Sequence, residues 1–365
     1  MKVKYSYLEE QFADSEEIIN NIRNLLKAAD YTLGEEVAKF EKDFAKLCRT
    51  KYAIGVGSGT DALLLSLEAI GIRDGDEVIT APNTFIATVG AIATSGARPV
   101  FVDVDDDYNI NPDLIEEAIT ERTRAIMPVH YTGNPARMQR IMDIANKYDL
   151  PVIEDACQAI SAAINGQSVG SFGITGAFSL HPLKNLNVWG DGGVITTNSN
   201  DLDEKLRLMR NHGLKTRDEV ELFGYNSRLD TLQAIVGNHL MNEVDEITET
   251  RIRNAKIYDD ALSELNSHIT IPSRDDNVRH VYHLYIVQAK DRDRLYAYLL
   301  ENGVETKIHY PIPLHLQRAS ESLGYKEGDF PVCEAQCKSI ITLPVHQHLT
   351  DDQINYVIDK IRQFY

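Results

Sequence analysis

"YAIGVGSGTDALLLSLEAIGIRDGDEVITAP", residues 52 to 82, sets a short β-rich run, a stretch with helical apolar period and a second β-rich run one after another. Two strands joined by a helix make the βαβ unit, whose strands run parallel. Further along, "RPVFVDV", "RAIMPVHY", "PVIEDA", "GAFSLH" and "GGVITTN" repeat the strand signal. Between the earlier of these lie the helical patterns "FIATVGAIATS", "PDLIEEAIT" and "ARMQRIMDIANKYD". This order predicts an α/β fold with a mostly parallel sheet of about seven strands and helices on both faces.

The rhythm changes after "DLDEKLRLMRNHG", residues 201 to 213. Residues 227 to 265 contain no proline and predict one long helix bridging two domains. Beyond it, "HITIP", "HVYHLYIVQA", "TKIHY" and "SIITLPV" read as strands mixed with two helices, giving a smaller α+β domain. The division expected is a large domain over 1–250, with an N-terminal helical segment, and a small one over 251–365. No internal repeat or low-complexity tract interrupts it.

The 365 residues carry 43% hydrophobic and 25% charged side chains and a formal net charge of -18. That composition is ordinary for a globular protein. The negative charge argues against nucleic acid or an anionic membrane as the main partner, because no global positive field offsets the repulsion. "MKVKYSYLEEQFADSEE" lacks the apolar core of a secretory signal, and "ALLLSLEAIGI" is too short to span a bilayer. A cytoplasmic location is the expectation. Cysteines at 48, 157, 333 and 337 are too few for a disulfide framework, and 333/337 have helical spacing.

In open α/β sheets ligands bind beyond the carboxyl ends of the strands. Three motifs fall there. "GVGSGTDALLL" runs from strand through Gly55, Gly57 and Gly59 into a helix at Thr60; its free N–H groups suit a phosphate, with Ser58 or Thr60 adding a hydroxyl. Thr60 stands where the dinucleotide fingerprint needs its third glycine, which disfavours a nicotinamide oxidoreductase. In "PVIEDACQA", Asp155 follows an apolar strand and needs a partner: a protonated ring nitrogen, an arginine or a helix N-terminus. Gln158 faces roughly the same way, whereas Glu154 points away.

The third motif is "SLHPLKNLNVWGDGG", residues 179 to 193. Ser179 is within reach of a phosphate. Lys184 sits on the turn after an apolar strand, where poor solvation frees its amine to condense with an aldehyde. The glycines of "GDGG" would let the backbone pass close to a bound ring. The pairs His280/His283 and His346/His348 lack a carboxylate or cysteine to complete a metal set and read as core or surface histidines.

Phosphate donors, a carboxylate for a ring nitrogen and an imine-forming lysine, in that order, describe a pyridoxal phosphate (PLP) site. "GSGTDAL", "APNTFIAT", "VIEDACQA", "FSLHPLKNL", "GDGG" and "GYNSRLD" also resemble, in sequence order, the motifs of the DegT/DnrJ group of sugar aminotransferases, and the likeness covers nearly the whole chain. The resemblance implies the fold type I architecture of aspartate aminotransferase, PLP as cofactor and pyridoxamine phosphate as its amino-carrying form. It implies that Lys184 holds the cofactor and moves the proton, and that Asp155 keeps the ring nitrogen protonated. Gln158 would contact the ring hydroxyl, Phe85 would stack on the ring, and Gly59, Thr60 and Ser179 would hold the phosphate.

By the same resemblance the protein forms a homodimer with shared sites, Asn226 reaching the phosphate in the neighbouring subunit. An amino acid, L-glutamate, gives its amino group to a keto sugar, a nucleotide-linked 3-keto-deoxysugar bound for a glycan or secondary metabolite. In "ETKIHYPIPLHLQ", residues 305 to 317, His309, Tyr310 and His315 would line the sugar pocket, or the prolines would simply make a rigid turn. Lys215 and Arg217 in "RNHGLKTRD" would meet a diphosphate, or form a solvated loop. Arg228 would bind the donor's carboxylate or pair with an acid. The chain departs from the family at Asn187, Val188 and Trp189, and "CQAISAAING" lacks a frequent His-Gly pair, which leaves the sugar open. The alternatives are a free keto sugar or cyclitol as acceptor, and a PLP-binding regulator without catalysis.

Overall fold

Runs of apolar residues buried on both faces need helices above and below them, and the central sheet is built that way. A computed structural model describes residues 1–365. Its large sheet contains β1 (Tyr52–Val56), β2 (Glu77–Thr80), β3 (Arg98–Phe101), β4 (Thr123–Ile126), β5 (Ile153–Asp155), β6 (Thr175–Ser179) and β7 (Gly193–Thr197). The ladders, joined between β4 and β5 by the bridges Ile126–Val152 and Val129–Asp155, give the order β1-β7-β6-β5-β4-β2-β3. Every neighbouring pair is parallel except the two made by β7. The seven-stranded, mostly parallel sheet is the expected one.

The helix α1 (Gly59–Ala69) has leucines on several sides because it lies deep in the molecule: Leu63, Leu65 and Leu67 are buried against Ile54, Val56, Ile153 and Ile195 of the sheet. Ser58 caps it, its Oγ accepting from Asp61 N at 3.0 Å. The turn into α2 (Ile86–Thr94) follows β2. Because β1, β2, β5 and β6 point the same way, the loops after them gather at one edge.

The expected single helix over 227–265 is two, Thr231–Met241 and α3 (Val244–Leu262), broken at Asn242 and Glu243. Each half serves a different core. The first lies so close to Phe40 that a Cβ on Gly237 would stand 2.7 Å from its ring, while α3 buries Tyr258 and Leu262 among C-terminal residues. A straight rod could not reach both. That C-terminal core is built on the antiparallel strands β8 (Ile269–Thr270), β9 (Tyr285–Ala289) and β10 (Ile340–Leu343).

Other expectations are trimmed. Residue 250 lies inside α3, and Val3 belongs to the C-terminal core, exchanging backbone hydrogen bonds with Gly303 (2.8 Å) and Glu305 (2.9 Å). "PDLIEEAIT" forms only short turns of helix, Pro112–Leu114 and Ile115–Ala118. "TKIHY" makes a single bridge, Lys307 to Thr342. Within "HVYHLYIVQA" the strand starts at Tyr285, because Val281 and Leu284 N–H groups are drawn to the carbonyls of Gly133 and Thr132. This leaves His283 on irregular backbone at the edge where the loops gather.

Candidate active site

A cavity of about 460 Å³ opens at that edge. Its size is in the range of small-molecule sites. The junction of β1 and α1 supplies Ser58, Gly59 and Thr60, the turn before α2 supplies Phe85, the end of β5 and the loop after it supply Asp155 and Gln158, and the end of β6 and the loop after it supply Ser179 and Lys184. All seven cofactor-contact candidates that follow strands of this chain therefore line one cavity.

At the start of α1 the backbone N–H groups of Gly59 and Thr60 have no acceptor in the protein. They form an anion-ready end. Gly59 is required there by space: an added Cβ would lie 2.7 Å from Ser179 Cβ and 3.0 Å from Cys157 Sγ. The glycines of "GDGG" are demanded by the protein's own packing. A Cβ on Gly193 would stand 2.2 Å from the Ser58 carbonyl and one on Gly192 3.0 Å from Leu229, so Gly193 lets β7 pass close beneath the phosphate-type loop.

Asp155 is 4% exposed and has no cationic partner. Thr88 Oγ1 donates to its Oδ2 at 2.6 Å and Cys157 N–H to its Oδ1 at 3.2 Å. Neither the arginine pairing nor the helix-capping reading applies. Gln158 is oriented by Thr132 N–H, which donates to its Oε1 at 2.7 Å and leaves the amide nitrogen without a protein partner. Glu154, on the other side of the strand, accepts from the N–H groups of Gly170, Phe172 and Gly173 and pairs with His130 at 3.0 Å. It points away from the cavity, as expected.

Lys184 sits on a turn closed by its own N–H to the His181 carbonyl at 2.8 Å, and its carbonyl accepts from Tyr7 hydroxyl and Asn187 amide, each at 2.9 Å. Its ammonium makes no ion pair. Desolvation pulls the pKa below the ordinary lysine value, against the opposing pull of Cys157 and Asp155. Trp189 packs edge-on to Phe12 at 5.5 Å, outside the cavity wall.

The substrate candidates divide. His309 and Tyr310 line the cavity, with Tyr310 6.0 Å from the Phe85 ring, and burial drives the His309 pKa down to about 4. His315 does not line it: the imidazole is buried with Nε2 3.0 Å from Glu334 Oε1, which also accepts from Gly328 N–H. Buried next to a carboxylate, it holds a loop. Lys215, paired with Glu221 at 3.2 Å, and Arg217 lie on an exposed loop away from this chain's cavity, as does Asn226. Arg228 donates to Asn211 Oδ1 at 3.0 Å and pairs with no acid.

Among the cavity residues that the sequence did not single out for this site are Tyr5, Tyr7, Arg251, His283 and His346. The two histidines were visible only as half of each histidine pair. Tyr5 and Tyr7 alternate in "VKYSY", a period compatible with one face of an extended segment. Arg251 has no signal in a helix rich in charge. Among His, Cys, Asp and Glu side chains no metal-type cluster forms.

Comparison with known proteins agrees with this arrangement. The sequence matches the DegT/DnrJ/EryC1/StrS aminotransferase family over residues 13–362. It is 43% identical to a pleiotropic regulatory protein of Geobacillus stearothermophilus, over 100% of this chain and 99% of that protein. It is 41% identical to the dTDP-3-amino-3,6-dideoxy-alpha-D-galactopyranose transaminase of Aneurinibacillus thermoaerophilus, over 95% of each. The fold superposes with a TM-score of 0.97 on DesV of S. venezuelae, solved with a ketimine intermediate, at 37% identity and covering 100% of this chain and 98% of that one. The class defined by fold and site is that of PLP-dependent aminotransferases of fold type I. Within it, the chain belongs to the DegT/DnrJ/EryC1/StrS aminotransferase family.

PLP fits the residues present. The cofactor needs an anion cradle, an anion beside its ring nitrogen, a donor near its phenolic oxygen and an amine near its aldehyde. Gly59 and Thr60 N–H groups, the unpaired carboxylate of Asp155, the free amide nitrogen of Gln158 and the Lys184 amine answer these needs in one cavity. Its positively polarised ring, when bound, draws electrons from the substrate's Cα–H bond.

Proposed function

We propose that this protein transfers the amino group of L-glutamate to a nucleotide-linked keto sugar, a 3-keto-deoxysugar, in amino-sugar biosynthesis. The observation that carries it is the meeting of Lys184 with an unpaired, buried Asp155 beside the open N–H groups of α1. Lys184 is the point of attachment and, once released, its amine takes the proton from the donor's Cα and returns it on the other side of the transfer. A desolvated amine accepts that proton without first shedding one. Asp155 holds a proton on the ring nitrogen by electrostatics alone, fixed in place by Thr88 and Cys157 N–H. Gln158 orients the ring hydroxyl, Phe85 covers the ring face, and Gly59, Thr60 and Ser179 hold the phosphate.

His309 and Tyr310 bind the sugar ring in this reading. The dTDP-sugar transaminase relative supports the nucleotide-linked acceptor. A homodimer completes the site, with Asn226, Lys215 and Arg217, all exposed and none of them lining their own cavity, serving the partner's phosphate groups. The exposed Phe223 and Val220 of the same loop suit burial against a second copy. No helix is long and apolar enough to cross a membrane.

A second reading, a PLP-binding regulator, is favoured by the name of the Geobacillus relative. One experiment separates the two. Holoenzyme given L-glutamate in a single turnover should yield pyridoxamine phosphate, and a dTDP-linked 3-keto-6-deoxyhexose should then be converted to its 3-amino product. Borohydride should fix the cofactor to the peptide carrying Lys184, and Lys184→Ala should bind cofactor yet take no label. No amino transfer from glutamate would favour the regulator; transfer to a free keto sugar with no affinity for thymidine diphosphate would sink the nucleotide version.

A further inference from the structure

The loop that carries Lys184 departs from the family wording at Asn187, Val188 and Trp189, and none of the three lines the cavity. Two of them work beside the N-terminal end of the chain. Asn187 Nδ2 donates to the Lys184 carbonyl at 2.9 Å, and the Tyr7 hydroxyl donates to the same oxygen, also at 2.9 Å. Trp189 packs edge-on to Phe12. Tyr7 and Phe12 thus hold the lysine loop at two points, one on each side of Asn187.

The other attachments of this segment run to the C-terminal part of the chain. Beyond the backbone bonds of Val3 to Gly303 and Glu305, Tyr5 N–H donates to Glu305 Oε2 at 3.0 Å and His346 Nε2 donates to the Lys4 carbonyl at 3.1 Å. The side chains of Gln347 and His348 both reach Gln11 Oε1. Residues 3 to 12 therefore form a strap from the C-terminal core to the loop of the reacting amine.

Tyr7 is the inward point of that strap, 3% exposed and in the cavity wall. Its ring rests against the buried Arg251 guanidinium at 5.1 Å and the His346 imidazole at 5.2 Å, which fixes the direction of the phenol. Burial pushes its pKa up, so it keeps the proton that it offers to the Lys184 carbonyl and, at 3.2 Å, to that of Leu183. With Tyr7 and Asn187 in place, both lone pairs of the Lys184 carbonyl are taken. Without them the residue would hang from the one bond that its N–H makes to His181. A lysine side chain turns about every bond of its stem, so the place of its amine depends on how firmly the backbone beneath it is held; a misplacement of about 1 Å costs roughly 100-fold in rate. From these contacts we infer that Tyr7 is a positioning residue for the Lys184 amine: the N-terminal strap, with Asn187 as second donor, fixes the lysine loop against the C-terminal part of the chain.

The inference rests on the aminotransferase reading, and two of the measurements that test it need no turnover. Tyr7→Phe keeps the ring against Arg251 and His346 and removes only the hydroxyl, while Asn187→Leu keeps the volume and removes the other donor. Single-turnover formation of pyridoxamine phosphate from glutamate should slow about fivefold in each holoenzyme. The double variant should slow about 100-fold, more than the product of the two, because the carbonyl then loses both donors. The glutamate concentration at half-maximal rate and the affinity for PLP should stay within about threefold. In substrate-free holoenzyme the pH at which the yellow lysine-bound cofactor bleaches should shift by about half a unit in Tyr7→Phe, since proton affinity follows where the lysine nitrogen sits. A rate unchanged in Tyr7→Phe, losses that only multiply or an unmoved bleaching pH would overturn the assignment. So would a fall in PLP affinity that matches the fall in rate, which marks a merely structural role. A wild type that takes no amino group from glutamate would overturn the aminotransferase reading instead, and the bleaching pH would still judge Tyr7.

Discussion

Thr88 Oγ1 donates to Asp155 Oδ2 at 2.6 Å, and Thr84 Oγ1 stands 2.7 Å from the Thr88 hydroxyl. The carboxylate that would hold a proton on the cofactor's ring nitrogen is therefore fixed by the Thr88 hydroxyl of α2 and the Cys157 N–H, not by an ion pair.

Asp155→Asn should bind PLP yet slow glutamate-dependent amino transfer by about a thousandfold, because the ring nitrogen loses its counter-charge. Thr88→Val, which removes one orienting hydrogen bond and preserves the charge, should cost about tenfold. Single-turnover rates on cofactor-saturated protein measure both. Equal losses in the two variants would argue that Asp155 acts only through its position.

Gly59→Ala tests the cradle. Its Cβ would sit 2.7 Å from Ser179 Cβ, so the two loops must part. Overpacking of this kind costs about 1–3 kcal/mol, and PLP affinity should drop by roughly tenfold or more in a cofactor titration. Unaltered affinity would show that the phosphate is held elsewhere.

His315→Ala should act on stability and leave the sugar untouched. Removing the imidazole empties a buried site and takes one partner from Glu334, which keeps the Gly328 and Phe330 N–H groups, at a cost of about 2 kcal/mol. Denaturant unfolding should show that loss while KM for the acceptor stays within about twofold. A raised KM with unchanged stability would return this residue to the sugar pocket.

Acid should unfold the cofactor-free protein early. Burial lowers His309 and His346 from 6.5 to about 4 in the folded chain. Between those values the unfolded chain binds more protons, so stability rises with pH across the window and is lost as pH falls from about 6.5 toward 4. Each histidine contributes at most about 3 kcal/mol of that loss. Replacing both by Gln should flatten the slope measured by urea unfolding at pH 6.5 and 4.5; an unchanged slope would place the sensitivity in other groups.

Much of the site was legible because it is local. Gly59, Thr60, Asp155, Gln158, Ser179 and Lys184 each stand within a few residues of the end of a strand, and parallel strands bring such ends to one edge whatever the details of packing. The α/β alternation that orders the strands is likewise a short-range signal. His315 misled because a histidine near prolines has the same wording whether its ring faces a sugar or a buried glutamate. "GDGG" marks a close approach without naming what approaches, and the structure shows one such approach, Gly193 to the Ser58 carbonyl.

The order of short strands and helices, the glycine turn before α1 and the lysine and aspartate at strand ends were written in the chain itself, because periodicity and turn chemistry act over a few residues. Tertiary structure alone decided that Tyr5 and Tyr7 from the N-terminal end, Arg251 from α3, and His283 and His346 from beyond it close the cavity. It also decided that the long helix breaks at Asn242. Those outcomes depend on which distant surfaces bury one another, and on the burial that strips Arg251 and the histidines of water, neither of which any local pattern records.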